Sequence, residues 1–219
     1  MASSHWPLFD LRLSTPRLRL RLPTLEDLDA LADVAAGRIH DPGVQPFVME
    51  WTEAPPVERA RGTLQAHWSQ WAAWKPSSWG LNLVVEFDGT IVGSQAMSGR
   101  DFAVLREVST GSWLGQPYQG QGIGTEMRAA VLHLAFAGLG AEYAVSAAFA
   151  DNAASWAVSR KLGYQEDGID RYVVRGRPVV SRRLRLDRAG WQARQSVPVT
   201  IDGLDPCLPL FGLDGSGSP

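Results

Sequence analysis

Gln119-Gly120-Gln121-Gly122-Ile123-Gly124 is the stretch on which the reading of this chain turns. It lies between a strand candidate, Glu107 to Leu114, and a helix candidate, Gly122 to Ala137. In that helix Ile123, Met127, Ala130, Val131 and Leu134 recur at helical spacing. Three glycines let a backbone adopt positive φ and come close to a ligand. Amides gathered at a helix N-terminus then favour an anion, and phosphate or pyrophosphate is the natural one. Two familiar phosphate loops do not fit. No Lys-Ser/Thr pair follows Gly124, as a P-loop needs. The next strand candidate, Tyr143 to Ala150, carries no acidic residue for a ribose hydroxyl, as a dinucleotide fold needs.

Outward from the loop, the pattern is mixed. Arg17 to Leu22 alternates strictly and reads as a strand with one apolar face. Thr24-Leu25-Glu26-Asp27 fits a capping box for a helix that Gly37 would end. A Pro- and Gly-containing loop runs from Ile39 to about Pro56. A helix is expected from Val57 to Lys75, stopped by Pro76, with Trp68, Trp71 and Trp74 roughly on one face. That stripe reads as packing or an interface, with an acceptor-pocket wall as the functional alternative. Asp88-Gly89 between Leu81–Phe87 and Thr90–Met97 signals a two-residue hairpin. The mostly apolar Tyr143 to Ala150 suits a central strand. Asn152 caps a short helix ended by Gly163, and Tyr164–Val174 with Val179–Leu186 forms a hairpin turning near Gly176. The expected fold class is α/β, with a mixed and largely antiparallel sheet.

The chain has 219 residues, room for one domain with an extension. A domain over residues 1–191 is expected, and an extension over 192–219 that packs on it or on a partner subunit. Leu208, Leu210 and Phe211 make that tail too apolar for a free linker, while Gly215 to Pro219 should be mobile. Hydrophobic residues are 45% and charged residues 20%, which excludes a wholly disordered chain. Lys plus Arg is 21 against 23 Asp plus Glu, and the net charge of -2 weighs against a phosphate-held nucleic-acid binder. One cysteine, Cys207, excludes an intrachain disulfide framework and a Cys-rich zinc site. No apolar run approaches ~18 residues and no signal peptide is visible, so a cytoplasmic protein is expected, with no membrane partner.

The loop does not stand alone. Asp151-Asn152-Ala153-Ala154-Ser155 follows, ending in Arg160-Lys161-Leu162-Gly163-Tyr164. Thr15-Pro16-Arg17-Leu18 opens the pattern, and Gly111-Ser112-Trp113-Leu114 and Thr125-Glu126 flank the loop. Together, over Leu11 to Trp191, these resemble the GNAT superfamily of N-acetyltransferases, in its ribosomal-protein-acetylating (RimJ/RimL) subgroup. The whole chain looks close to an actinobacterial branch of it that includes succinyl-CoA-binding members.

That resemblance implies a sheet whose central parallel strands, Ser109–Leu114 and Tyr143–Ala150, splay apart to admit acyl-CoA. It implies that Gln119, Gly120, Gln121, Gly122, Ile123 and Gly124 hold the pyrophosphate. Asn152 and Ser155 would meet the pantetheine, and Trp113 and Leu114 would neighbour the backbone donor for the oxyanion. No metal is implied. Many relatives carry a Tyr seven residues after the Asn, but Ser159 stands here. Ser155 is the preferred hydrogen-bond donor to the leaving sulfur, with Ser159 at i+4 as its alternative. The base is Glu107, acting through water, since Ser109 stands where relatives often have Glu. Asp101 and His67 are reserves, and His133 reads as packing or surface.

The implied activity is transfer of an acetyl group from acetyl-CoA to a primary amine of a protein N-terminus, a lysine or a small molecule. Succinyl-CoA is the alternative donor, and its carboxylate would need a cation such as Arg59, Arg61, Arg100 or Arg106. A non-catalytic CoA-binding sensor is the other alternative. Nucleic-acid binding through Arg182-Arg183 stands behind all of these. Nine tryptophans and the apolar tail make a homo-oligomer an open expectation.

Overall fold

The computed structural model describes residues 5–213. Gly215 to Pro219 lie outside the described residues. In chain order the elements are β1 (Arg12–Ser14), β2 (Leu18–Arg21), α1 (Leu25–Ala36), α2 (Pro56–Ala72), β3 (Ser78–Phe87) and β4 (Thr90–Arg100). Then follow α3 (Phe102–Leu105), β5 (Glu107–Leu114), α4 (Ile123–His133), β6 (Tyr143–Phe149) and α5 (Ala153–Lys161). The described chain closes with β7 (Gln165–Val174), β8 (Arg177–Asp187), α6 (Arg188–Arg194) and β9 (Thr200–Asp202).

One nine-stranded sheet runs in the order β7-β8-β6-β5-β4-β3-β2-β1-β9. Its strand pairs are antiparallel except β5 with β6. Those two pair only at Glu107↔Tyr143, Val108↔Ala144 and Ser109↔Val145. Beyond Ser109, β5 stays with β4 up to Leu114, and β6 stays with β8 up to Phe149. The result is a V that opens in the middle of the sheet.

Strand alternation assigns the two faces. Leu81, Leu83 and Val85 point to the large core with Met127, Val131 and Phe136 of the α4 segment. Val84 points the other way, to Leu31 of α1 and Ile91. Helices α4 and α5 therefore cover one face, and α1 with α2 the other.

Local rules account for much of this. Thr24 Oγ1 accepts from Asp27 N at 3.1 Å while Asp27 Oδ2 accepts from Thr24 N at 2.8 Å, a complete capping box. Asp88 and Gly89 both take positive φ in the β3–β4 turn. The arginines of the alternating strands meet carboxylates: Arg21 with Asp27 and Glu86, Arg182 with Glu166, Arg183 with Asp170.

Several boundaries differ from expectation. Helix α2 ends at Ala72 rather than Lys75, so Trp74 lies beyond it. Trp68 is 44% exposed, while Trp71 packs on Phe9 and Trp74 on Trp6, Trp79 and Phe211. The three rings are not one stripe, and two of them anchor the chain's flanks. Helix α4 stops at His133 and widens into a π turn, Leu134–Gly138. Helix α6, capped by Asp187 onto Gly190 N, and strands β1 and β9 have no counterpart in the sequence reading. Strand β9 pairs with β1, Phe211 is fully buried, and Leu210 O accepts from Trp74 Nε1 at 2.8 Å.

Candidate active site

The loop after β5 turns through Gly120 (φ 75°) and Gly122 (φ 80°), a region that disfavours residues with a Cβ. Gly122 is the N-cap of α4 and offers no side-chain cap. Among the described residues, the backbone N–H groups of Gly120, Gln121, Gly122, Ile123 and Gly124 donate to no carbonyl. Five amides at a helix N-terminus without protein acceptors fit an anion of the size of a pyrophosphate.

The loop's side chains brace it. Gln119 Nε2 donates to Ile39 O at 2.7 Å and to Leu114 O at 2.9 Å, and Gln121 Nε2 to Pro117 O at 2.8 Å. Arg17, just before β2, braces the loop: Nη1 donates to Gln121 O at 3.1 Å and Nε to Glu126 Oε2 at 2.7 Å. Thr15 Oγ1 completes the tie with Glu126 Oε1 at 2.6 Å. The Thr15 to Leu18 motif thus supports the loop from below, a role the sequence reading did not give it.

Strand β5 carries the other wall. A Cβ at Gly93 of β4 would collide with the Trp113 carbonyl oxygen, and Gly115 N donates to Val92 O at 2.9 Å. Trp113 therefore aims its peptide groups at β4, and its ring packs on Trp51 at 5.5 Å. By alternation Ser112 and Leu114 aim theirs into the V. Leu114 O is taken by Gln119, and Thr110 O by Ser146 Oγ at 3.3 Å.

On the α5 side Asn152 Oδ1 accepts from Ser155 N at 3.0 Å, so Asn152 is first of all an N-cap. Ser155 is half-buried, and its hydroxyl has no protein partner among the described residues. Ser159 is fully buried, and its Oγ accepts from Arg128 Nη1 at 3.1 Å. The Tyr164 hydroxyl lies 3.2 Å from Thr110 Oγ1, and burial pushes its phenol up.

The opposite face of the sheet holds a cavity of about 460 Å³. Glu107, Ser109, Arg100, Ser98, Gln70 and Trp79 are among its walls. Glu107 and Ser109 reach it together because they are two apart on β5. Glu107 Oε2 is held by Arg185 Nη1 at 2.5 Å. Arg106, with φ 48° at the end of α3, takes N–H bonds from Glu142 and Tyr143 on its carbonyl and so pins the start of β5.

Of the four candidate arginines only Arg100 lines this cavity. Arg59 binds Thr52 O, Ala36 O and Gly37 O, Arg106 lies over Phe102, and Arg61 is exposed on α2. His67 is buried with Nδ1 donating to Thr63 O at 3.0 Å, and burial lowers its pKa. Asp101 stands at the N-cap position of α3 with no side-chain capping bond, and His133 bonds Gln195 at 3.0 Å. Neither lines the cavity.

Arg128 escaped the sequence reading. It sits between Met127 and Val131 on the core side of α4, and a cation inside an apolar stripe was the signal available.

The sequence profile described as acetyltransferase (GNAT) domain matches residues 17–165. Solved structures share the fold. A GCN5-related N-acetyltransferase from Brucella melitensis is 17% identical, with a TM-score of 0.69, covering 84% of this chain and 81% of that one. RimJ of Mycobacterium smegmatis, in complex with a CoA disulfide, is 16% identical, with a TM-score of 0.63 and coverage of 93% and 95%. RimL, a ribosomal L7/L12 α-N-protein acetyltransferase in complex with coenzyme A, is 17% identical, with a TM-score of 0.63 and coverage of 79% and 95%.

Proposed function

The chain belongs to the GNAT acetyltransferase family of acyl-CoA-dependent N-acyltransferases, and we propose that its donor is acetyl-CoA and its acceptor the primary amine of a protein N-terminus. The observation that carries the donor side is the uncapped loop Gly120–Gly124 beside the open V of β5 and β6. The acceptor class rests on likeness to the ribosomal-protein acetyltransferase RimL. A cytoplasmic location goes with such an acceptor; among the described residues no helix is long and apolar enough to cross a membrane.

Acyl-CoA supplies an acyl group on a thioester. The loop amides bind its pyrophosphate, with Gln119 and Gln121 holding the loop in shape. The unpaired N–H groups of Ser112 and Leu114 line the V, one of them as donor to the oxyanion. The half-buried Ser155 hydroxyl and the free Nδ2 of Asn152 stand on the facing helix, Ser155 as donor to the sulfur. Glu107, at the cavity wall where the strands still pair, takes the amine proton through water. An amine entering from the α2 side thus meets a base, while the donor enters from the α4 side.

Arg100 favours a second reading, in which a succinyl carboxylate rests on it. Calorimetry with acetyl-CoA, succinyl-CoA and CoA tests both. Equal binding of acetyl-CoA and CoA, unmoved by Arg100→Ala, supports acetyl transfer. Tighter succinyl-CoA binding that Arg100→Ala abolishes replaces it. Binding without transfer to any amine leaves a sensor, and no binding of any CoA species ends the proposal. With transfer in hand, Glu107→Gln lowers kcat about 10²-fold.

A further inference from the structure

We propose that Arg128 is a positioning residue that, through Ser112 and Ser159, stabilises negative charge on the leaving sulfur; this rests on the acyl-CoA reading above. Arg128 is 5% exposed, and no carboxylate lies within ion-pair distance of it among the described residues. A buried charge without a partner is costly to keep. Its guanidinium spans two walls of the site. Nη1 donates to Ser159 Oγ on α5 at 3.1 Å, and Nη2 to Ser112 Oγ on β5 at 3.2 Å.

Ser112 lies on the stretch of β5 that has parted from β6. Both hydroxyl oxygens accept from the cation, so both O–H protons are left to donate elsewhere. Donors primed in this way are stronger than neutral ones.

Two more buried atoms have no partner in the same place. Arg128 Nε has none, and neither has Oε1 of Gln95, the cross-strand neighbour of Ser112. Burial also lowers the Arg128 pKa, which measures how poorly the protein alone solvates that charge. The nearest titratable neighbour is Tyr164, held neutral by burial and bonded to Thr110. Glu126, also on α4, is turned to Arg17.

Attack by the amine nitrogen forms a C–N bond, and the C–S bond breaks with its electron pair left on sulfur. The amine proton goes to Glu107 or water. The sulfur receives hydrogen bonds from these two serines, whose own oxygens are held by the cation, in addition to the one from Ser155, and no further reactant is needed.

The test uses the full chain with free CoA as probe, and its thiol is titrated by ultraviolet thiolate absorbance. On the wild type the bound thiol is expected to ionise at lower pH than in solution, with about tenfold more thiolate at a given pH. Arg128→Met removes that shift while CoA affinity changes by less than about threefold, because the pyrophosphate loop is untouched. In turnover the same variant lowers kcat on the order of 10²-fold with little change in KM for the donor. If Arg128→Met does not fold, Ser159→Ala takes its place and loses a large part of the shift. The proposal is overturned if the bound thiol titrates alike in the wild type and in the variant that folds. Failure of the wild type to bind CoA would instead remove the acyl-CoA reading beneath it.

Discussion

Helices α1 and α4 begin in opposite ways. The first closes its own end with side chains: Thr24 and Asp27 exchange hydrogen bonds, so the amides of both are spoken for. The second begins at a glycine with φ 80° and leaves five amides pointing at nothing the protein supplies. Both start after a strand, so the difference lies in a few side chains rather than in topology. A helix kept for structure is capped, whereas one kept for an anion is left open and braced from behind. Here the brace is Arg17, which holds Gln121 O and Glu126 and leaves the amide face clear.

Giving α4 a cap of its own is the sharpest way to break this contrast. Gly122→Asp sets a carboxylate beside Arg17, whose Nη2 lies 3.4 Å from the new Cβ, so it competes for the brace and adds negative charge next to the amides that await an anion. Calorimetry should find CoA affinity lower by 10²-fold or more, about 3 kcal/mol, and unfolding should show a cost on the order of 1 kcal/mol for a side chain at that left-handed position. Removing the brace comes next. Arg17→Ala strands the 7%-exposed Glu126 and should cost about 2 kcal/mol in denaturant unfolding, and CoA affinity should fall about fivefold as the loop loosens. A stability loss with affinity untouched would show that the loop holds its shape unaided.

On the capped helix the pattern reverses. Thr24→Ala should cost about 1 kcal/mol in unfolding and leave KM for the donor unchanged. Helix α5 lies between the two cases, since Asn152 caps it and is also proposed to meet the pantetheine. Asn152→Gly should cost only about 0.3 kcal/mol in unfolding, because glycine is a passable N-cap. A rise in donor KM of about threefold would then report the Nδ2 contact alone.

What could be read from the chain beforehand follows the same division between local and distant causes. The α1 capping box, the Asp88-Gly89 turn, the bounds of β5 and the glycine loop all depend on neighbours within a few residues. Strands β1 and β9 are three residues each and exist because of one another, so no local pattern announces them. Helix α2 loses its last turn because Trp74 is drawn into a ring cluster with Trp6, Trp79 and Phe211. In the candidate site, Glu107 and Ser109 were legible as a pair through strand alternation. Arg128 was not, because Ser112 and Ser159, its hydrogen-bond partners among the described residues, come from two other elements.

The pairing of β9 with β1 has a consequence for how the molecule is made. Residues Arg12–Ser14 leave the ribosome long before Thr200–Asp202 are synthesised. One edge of β1 must wait for its mate until the segment around Thr200 has been made, and that contact is among the most non-local in the fold. During the wait an unpaired strand beside a growing sheet is open to wrong partners. Folding of this edge is therefore late relative to the rest of the sheet, and a nascent chain halted before residue 200 should expose β1 to protease while the chain that includes β9 protects it.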